Sequence, residues 1–229
     1  MCASGLAGKD SNNRSKDGLY SDGRIGIYPG KYEGEELNGK AHGKGKLTSI
    51  RGDVFKGTFV KGKGEGYFTI NYSFGARFEG YIKNGLAEGK GKYYFENGDI
   101  FEGDYKEGKA NGFGICYYAN GDKYEGEYLG DLKHGKGKYT FSDGSYYEGE
   151  YYKDKKNGKG TYVWDDGRKH IGEYKNDRSS GIGIFYNTDG SYYQGEFANG
   201  RPHGYGRFFD KDGKLLGKGV WENGEYKGK

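Results

Sequence analysis

The sequence is poor in the residues from which most domains build a core. Leu, Ile, Val and Phe together number 36 of 229 residues, about 16 %, a share more usual in disordered chains. Cysteine is nearly absent: Cys2 and Cys116 are too few and too unevenly placed for a disulfide framework. No apolar stretch is long enough to cross a bilayer as a helix, and residues 1–18 lack the apolar segment of a secretory leader. An intracellular, reducing setting is therefore expected. Charge of one sign is also missing. The 37 basic and 33 acidic residues are intermixed and leave a net charge of +4. That balance argues against the concentrated basic patch of a dedicated nucleic-acid binder, so no nucleic-acid partner is expected.

What the sequence has instead is 48 glycines and 25 tyrosines. Tyrosine buries a large ring while keeping a polar tip, which suits a thin β structure better than a thick aliphatic core. These residues are periodic. Tyr32, Phe55, Phe78, Phe101, Tyr124, Tyr147, His170 and Tyr193 follow one another at steps of 23, without insertion or deletion. Two residues after each lies a glycine: Gly34, Gly57, Gly80, Gly103, Gly126, Gly149, Gly172 and Gly195. Two more all-glycine columns run from Gly43 to Gly204 and from Gly52 to Gly213. One such column arises by chance with odds on the order of one in 10⁵. Three in phase establish a repeat.

Each unit reads as two short strands, because apolar residues alternate with polar ones and glycine falls too often for helix. Tyr124-Glu125-Gly126-Glu127-Tyr128 typifies the first strand and Lys138-Tyr139-Thr140-Phe141 the second. Between units, Asn97-Gly98, Asp143-Gly144 and their equivalents suit a tight type I′ turn. Within units a looser loop, such as residues 38–43, is expected. The missing Cβ at Gly126 leaves a notch for an aromatic ring of the next strand. Glutamates 35, 127, 150, 173 and 196 are expected on the other face as solvated partners of nearby lysines. Two strands per unit at ~4.8 Å each would make a sheet roughly 75–80 Å long over eight units.

The run from Tyr32 to Gly45, YEGEELNGKAHGKG, followed by an aromatic-containing strand and an Asn/Asp-Gly turn, resembles the MORN repeat. The resemblance covers residues 32–213. It implies an all-β fold: a single-layer, twisted antiparallel sheet of tandem β-hairpins, elongated and solenoid-like. Eight repeats are expected over 32–215, between a disordered tail at 1–18 with a degenerate capping segment at 19–31, and a degenerate half repeat at 216–229. Departures are local. Phe68 stands where other repeats have glycine, Asp131, Asp154 and Asp177 replace the mid-loop glycine, and His170 replaces the leading aromatic. Relatives of this kind join the repeats to a methyltransferase or lipid kinase domain. Within this chain, 31 residues before the repeats and 14 after residue 215 leave no room for one.

The resemblance implies a non-catalytic scaffold that binds protein segments along the sheet. Its expected setting is a large cytoplasmic, cytoskeletal assembly such as the radial-spoke head of the ciliary axoneme. A phosphoinositide-bearing membrane surface is the alternative, with Lys44, Lys46, Lys63, Lys90, Lys92, Lys136, Lys138 and Lys159 as its basic stripe. Open sheet edges permit self-association as a homodimer. Tyr105, Tyr128, Tyr151, Tyr174 and Phe197 form either a packed spine or the floor of a partner groove. Tyr94, Tyr117, Tyr186 and Phe209 point the other way. No catalytic, metal or cofactor site is expected. His42, His134 and His203 share a loop position but lie roughly 30–40 Å apart. The periodic glutamates lack a closed pocket, and Gly62-Lys63-Gly64-Glu65-Gly66 lacks the strand–loop–helix setting of a phosphate loop.

Overall fold

The computed structural model describes residues 30–228, which form 19 strands and no helix. The expected tail at 1–18 lies outside the described residues, as does all of the 19–31 segment except Gly30 and Lys31. The chain divides into two compact units, Met1–Asn120 with Glu127–Leu132, and Gly121–Gly126 with Lys133–Lys229.

The first unit holds β1 (Gly30–Leu37), β2 (Lys40–Ser49), β3 (Val54–Val60), β4 (Lys63–Gly64), β5 (Gly66–Asn71), β6 (Arg77–Lys83), β7 (Leu86–Tyr94), β8 (Ile100–Lys106) and β9 (Lys109–Tyr117). The division falls at β10 (Lys123–Leu129) and the start of β11 (Leu132–Thr140). The second unit continues with β12 (Tyr146–Tyr152), β13 (Lys155–Val163), β14 (Lys169–Lys175), β15 (Arg178–Tyr186), β16 (Tyr192–Ala198), β17 (Arg201–Phe209), β18 (Leu215–Glu222) and β19 (Glu225–Gly228). In both units successive strands pair antiparallel, giving an open sheet of hairpins. Strands β18 and β19 form a further hairpin, with Trp221 buried 5.0 Å from the Tyr193 ring.

Turn chemistry is the reverse of the sequence expectation. The tight two-residue turn lies inside each unit, where Asn38 and Gly39 (φ 52° and 70°) or Lys153 and Asp154 (φ 50° and 68°) both adopt positive φ, as type I′ requires. Between units the loop has three residues. Gly98 N–H donates to Phe95 C=O at 3.0 Å, Phe95 N–H donates to Asp99 C=O at 2.9 Å, and within the loop only Gly98 is left-handed. The Asn or Asp before that glycine serves another purpose. Its side chain accepts the backbone N–H two residues on, as at Asn97 to Asp99 (3.1 Å) and Asp143 to Ser145 (2.8 Å).

Rows of turns are stitched sideways. Asp131 Oδ1 accepts Ala110 N–H at 2.7 Å while Asp131 N–H donates to Ala110 C=O at 3.0 Å. Asp154 repeats this with Lys133, and Asp177 with Lys156. The aspartates that replace the mid-loop glycine thus add a bond that glycine cannot make. At the opposite edge Asp53 accepts Ser73 N–H, Asp99 accepts Ala119 N–H and Asp122 accepts Ser142 N–H.

The ring over the glycine notch comes from the glycine's own strand and also reaches over the paired glycine of the next strand. Tyr147 covers the cross-strand pair Gly149 and Gly160, where a Cβ on Gly149 would stand 2.6 Å from the Tyr147 hydroxyl. The hydroxyl donates to Glu150 C=O at 3.1 Å, at a β-bulge between Gly149 and Tyr151. The Glu150 carboxylate accepts Lys159 N–H at 3.1 Å, and Glu196 does the same for Tyr205 N–H. These two glutamates therefore close the bulge and are not merely solvated. In the repeat at 55–77, Phe68 is fully buried with its ring over Gly57, and the strand breaks into β4 and β5.

Candidate functional site

One face of each unit carries the aromatic columns. Tyr105, Tyr128, Tyr151, Tyr174 and Phe197 are 3–6 % exposed. Each stands edge-on to leading aromatics, as Phe101 to Tyr128 (5.0 Å), Tyr124 to Tyr151 (5.2 Å), Tyr147 to Tyr174 (4.9 Å) and His170 to Phe197 (4.7 Å) show. The structure thus buries these five in the packed spine, and Tyr174 and Phe197 also line an open cleft of the second unit. Burial raises the Tyr105 hydroxyl well above its ordinary value and the Tyr193 hydroxyl to about 12, so both stay protonated. His170 keeps the aromatic column intact. It is 2 % exposed, with Nδ1 2.7 Å from the Tyr174 hydroxyl, and burial lowers its pKa to about 4.

The rings a partner can reach lie beside the spine. In the second unit an open cleft of about 940 Å³ is walled by Trp164, Phe185, Phe208, Leu216, Trp221 and Tyr226, with Lys156, Arg168, Asp177 and Arg178 also lining it. Arg168 is stacked over Trp164 at 5.5 Å and bound to Asp166 at 2.7 Å. The cleft is a groove with apolar walls and net positive charge, without a paired acid and base.

Two lysines occupy this face at the approach to the cleft, and the second of them, Lys156, also lines it. The Lys133 ammonium lies 5.4, 4.9 and 5.7 Å from the rings of Tyr124, Tyr139 and Tyr151. Lys156 lies 5.1 and 4.4 Å from Tyr147 and Tyr162, and 5.8 Å from Phe141. Burial lowers both ammonium pKa values, while Asp177 holds charge on both and Asp154 on Lys133. Sequence reasoning overlooked these lysines and the cleft walls. The signal was present in the period: the column 41, 64, 87, 110, 133, 156, 179, 202 reads Ala, Gly, Ala, Ala, Lys, Lys, Ser, Pro.

The other face is charged and partly aromatic. Lys46, Lys92 and Lys138 pair with Glu33, Glu102 and Glu148 at 3.4, 3.3 and 3.6 Å, and Lys90 with Asp104 at 2.7 Å. Much of the expected basic stripe is thus neutralised across strands. Tyr186 and Phe209 flank Tyr192 at 5.4 and 4.8 Å, and Lys169 lies 4.7 Å from the Tyr186 ring. Tyr94 carries Lys92 and Arg77 at 5.5 and 5.8 Å, and Tyr117 is exposed.

The MORN repeat profile matches residues 32–54, 78–100, 101–123, 124–146, 147–167, 170–192 and 193–215. The unmatched interval includes 55–77, where Phe68 replaces the glycine. Comparison with curated proteins gave no match. Among solved structures, the chain is similar to the TCP domain of Drosophila melanogaster SAS-4 (dCPAP) in complex with a proline-rich motif of Ana2. The identity is 16 %, coverage is 76 % of this chain and 97 % of that one, and the TM-score is 0.44. It is also similar to the TCP10 domain of Danio rerio CPAP in complex with a STIL peptide, at 13 % identity, 83 % and 100 % coverage and a TM-score of 0.39. Likeness at this level carries no argument about function.

Proposed function

Because the chain belongs to the MORN repeat family, a non-catalytic repeat family, we propose that it is a scaffold that holds a segment of another protein against the aromatic face. The observation that carries this reading is the open cleft of about 940 Å³, whose walls are large apolar side chains, with Trp164, Phe185 and Phe208 half-buried and Leu216 and Tyr226 exposed. Exposed aromatics grouped in a concavity are the usual anchors of a protein interface. The assembly we favour is cytoskeletal, with the radial-spoke head of the ciliary axoneme as its setting by analogy with free-standing repeat chains.

Detergent fractionation of source cells tests this. The chain should stay with the cytoskeletal pellet, and in demembranated cilia with the axoneme. Release with the membranes overturns the assignment and favours a phosphoinositide-bound cortical scaffold. The cross-strand pairing of Lys46, Lys90, Lys92 and Lys138 with carboxylates speaks against that second reading. Sedimentation with phosphoinositide vesicles should accordingly show no salt-sensitive pelleting.

A further inference from the structure

Lys133 and Lys156 reveal what the aromatic face accepts. Each long side chain fills a slot bounded by a leading aromatic and the ring fifteen residues later: Tyr124 with Tyr139, and Tyr147 with Tyr162. One and two repeats beyond Lys156 the same column holds Ser179 and Pro202. Neither can reach across the slot. The corresponding rings, His170 with Phe185 and Tyr193 with Phe208, then line the open cleft. The backbone frame is retained, because Ser179 pairs with Tyr174, and Pro202 with Phe197, in the register of Lys156 with Tyr151. The chain plugs its own groove in two repeats and leaves it open in the next two.

The open slots differ chemically from the plugged ones. The rings around Lys133 and Lys156 are mostly tyrosines, and the turn following each lysine supplies a carboxylate, Asp154 or Asp177. Around Ser179 and Pro202 the second ring is phenylalanine, and His170 is neutral above its lowered pKa. The following turns carry Gly200 and Gly224 in place of aspartate. A cation entering either slot finds no counter-charge from that turn. An apolar side chain loses nothing. At the rim Arg178 is exposed, whereas the other two lining cations, Lys156 and Arg168, are offset by Asp177 and Asp166. Successive slots lie two strand spacings apart, about 10 Å.

We propose that the slots at Ser179 and Pro202 are the docking site for a partner segment bearing two apolar anchor residues about 10 Å apart, flanked by aspartate or glutamate. The proposal rests on the scaffold reading and adds the chemistry of the segment. Anchors three residues apart in a polyproline II segment, or seven apart on a helix, meet the spacing on one face.

The test is selection of a random 16-residue peptide display library on the full chain, followed by anisotropy titration of the selected peptides as synthetic products. The selected peptides should share two apolar anchors at that spacing with net negative flanks. Both tryptophans of the chain, Trp164 and Trp221, line the cleft, so binding should change their fluorescence. Ser179→Met should weaken binding at least tenfold while leaving circular dichroism unchanged, because it fills the slot with a side chain close to lysine's length that needs no counter-charge of the kind Asp154 and Asp177 give the lysines. Should that variant lose stability, Arg178→Glu at the exposed rim keeps the test open and should weaken binding several-fold. Enrichment of basic peptides, no enrichment, or unchanged affinity in either folded variant overturns the proposal. Such a failure leaves the scaffold reading to stand or fall by cell fractionation, since another face could then hold the partner.

Discussion

His170 should make the second unit acid-sensitive in a way its neighbouring repeats are not. The ring takes the place of a tyrosine or phenylalanine, is 2 % exposed, and packs 4.7 Å from Phe197 and 5.1 Å from Tyr174. Burial depresses its pKa from 6.5 to about 4. The unfolded chain therefore binds a proton below pH 6.5 that the folded chain refuses until about pH 4. Stability is unaffected above the unfolded value and falls as pH drops through this window. With those two values the loss at pH 5 relative to pH 7.5 is about 2 kcal/mol. His170→Phe keeps the ring and removes the titration. Its urea midpoint should be lower than that of the wild type at pH 7.5, because the Tyr174 hydroxyl loses its partner, but less sensitive to acid. Unfolding followed by tryptophan fluorescence isolates this unit, since Trp164 and Trp221 both lie in it. Asp131 works in the opposite sense in the first unit, where burial raises its carboxyl to about 6 and acid should favour the folded form. The wild-type minus variant difference cancels that contribution. If the pH dependence of the two proteins is the same between pH 7.5 and 5, the buried neutral histidine is wrong.

Gly149→Ala should cost about 3 kcal/mol, because its Cβ would meet Gly160 Cα and the Tyr147 hydroxyl at 2.6 Å in a backbone that is not left-handed. Gly144→Ala, at φ +90° with nothing within 4 Å of the new Cβ, should cost only about 1–2 kcal/mol. Equal losses in urea denaturation would refute a packing role for the Gly149 column. Asp154→Ala should lose about 1–2 kcal/mol by freeing Lys133 N–H. Asp154→Gly should lose less, since glycine suits the positive φ at that position. Lys156→Met keeps volume and removes a half-buried charge, so its stability should stay within about 1.5 kcal/mol of wild type. A larger loss by calorimetry would mean the ring contacts of the ammonium matter more than its desolvation.

The period determined the fold. Three glycine columns and one aromatic column at a constant 23-residue step leave no architecture except tandem hairpins, because strand alternation and turn residues recur in phase. The same period exposed Phe68 and His170 as departures, and both prove buried in the structure. Sequence could not assign the two kinds of turn, since both contain glycine with Asn or Asp, and only the sign of φ at neighbouring residues tells them apart. Nor could it choose between spine and groove for Tyr105, Tyr128, Tyr151, Tyr174 and Phe197. Alternation fixes the face on which a ring lies, but not whether another ring covers it. That depends on contacts between residues 27 positions apart, such as Tyr124 with Tyr151 and Tyr147 with Tyr174. The open cleft is likewise a tertiary fact: lysine in the column of Ser179 and Pro202 is an ordinary residue until the rings of two further strands are brought around it.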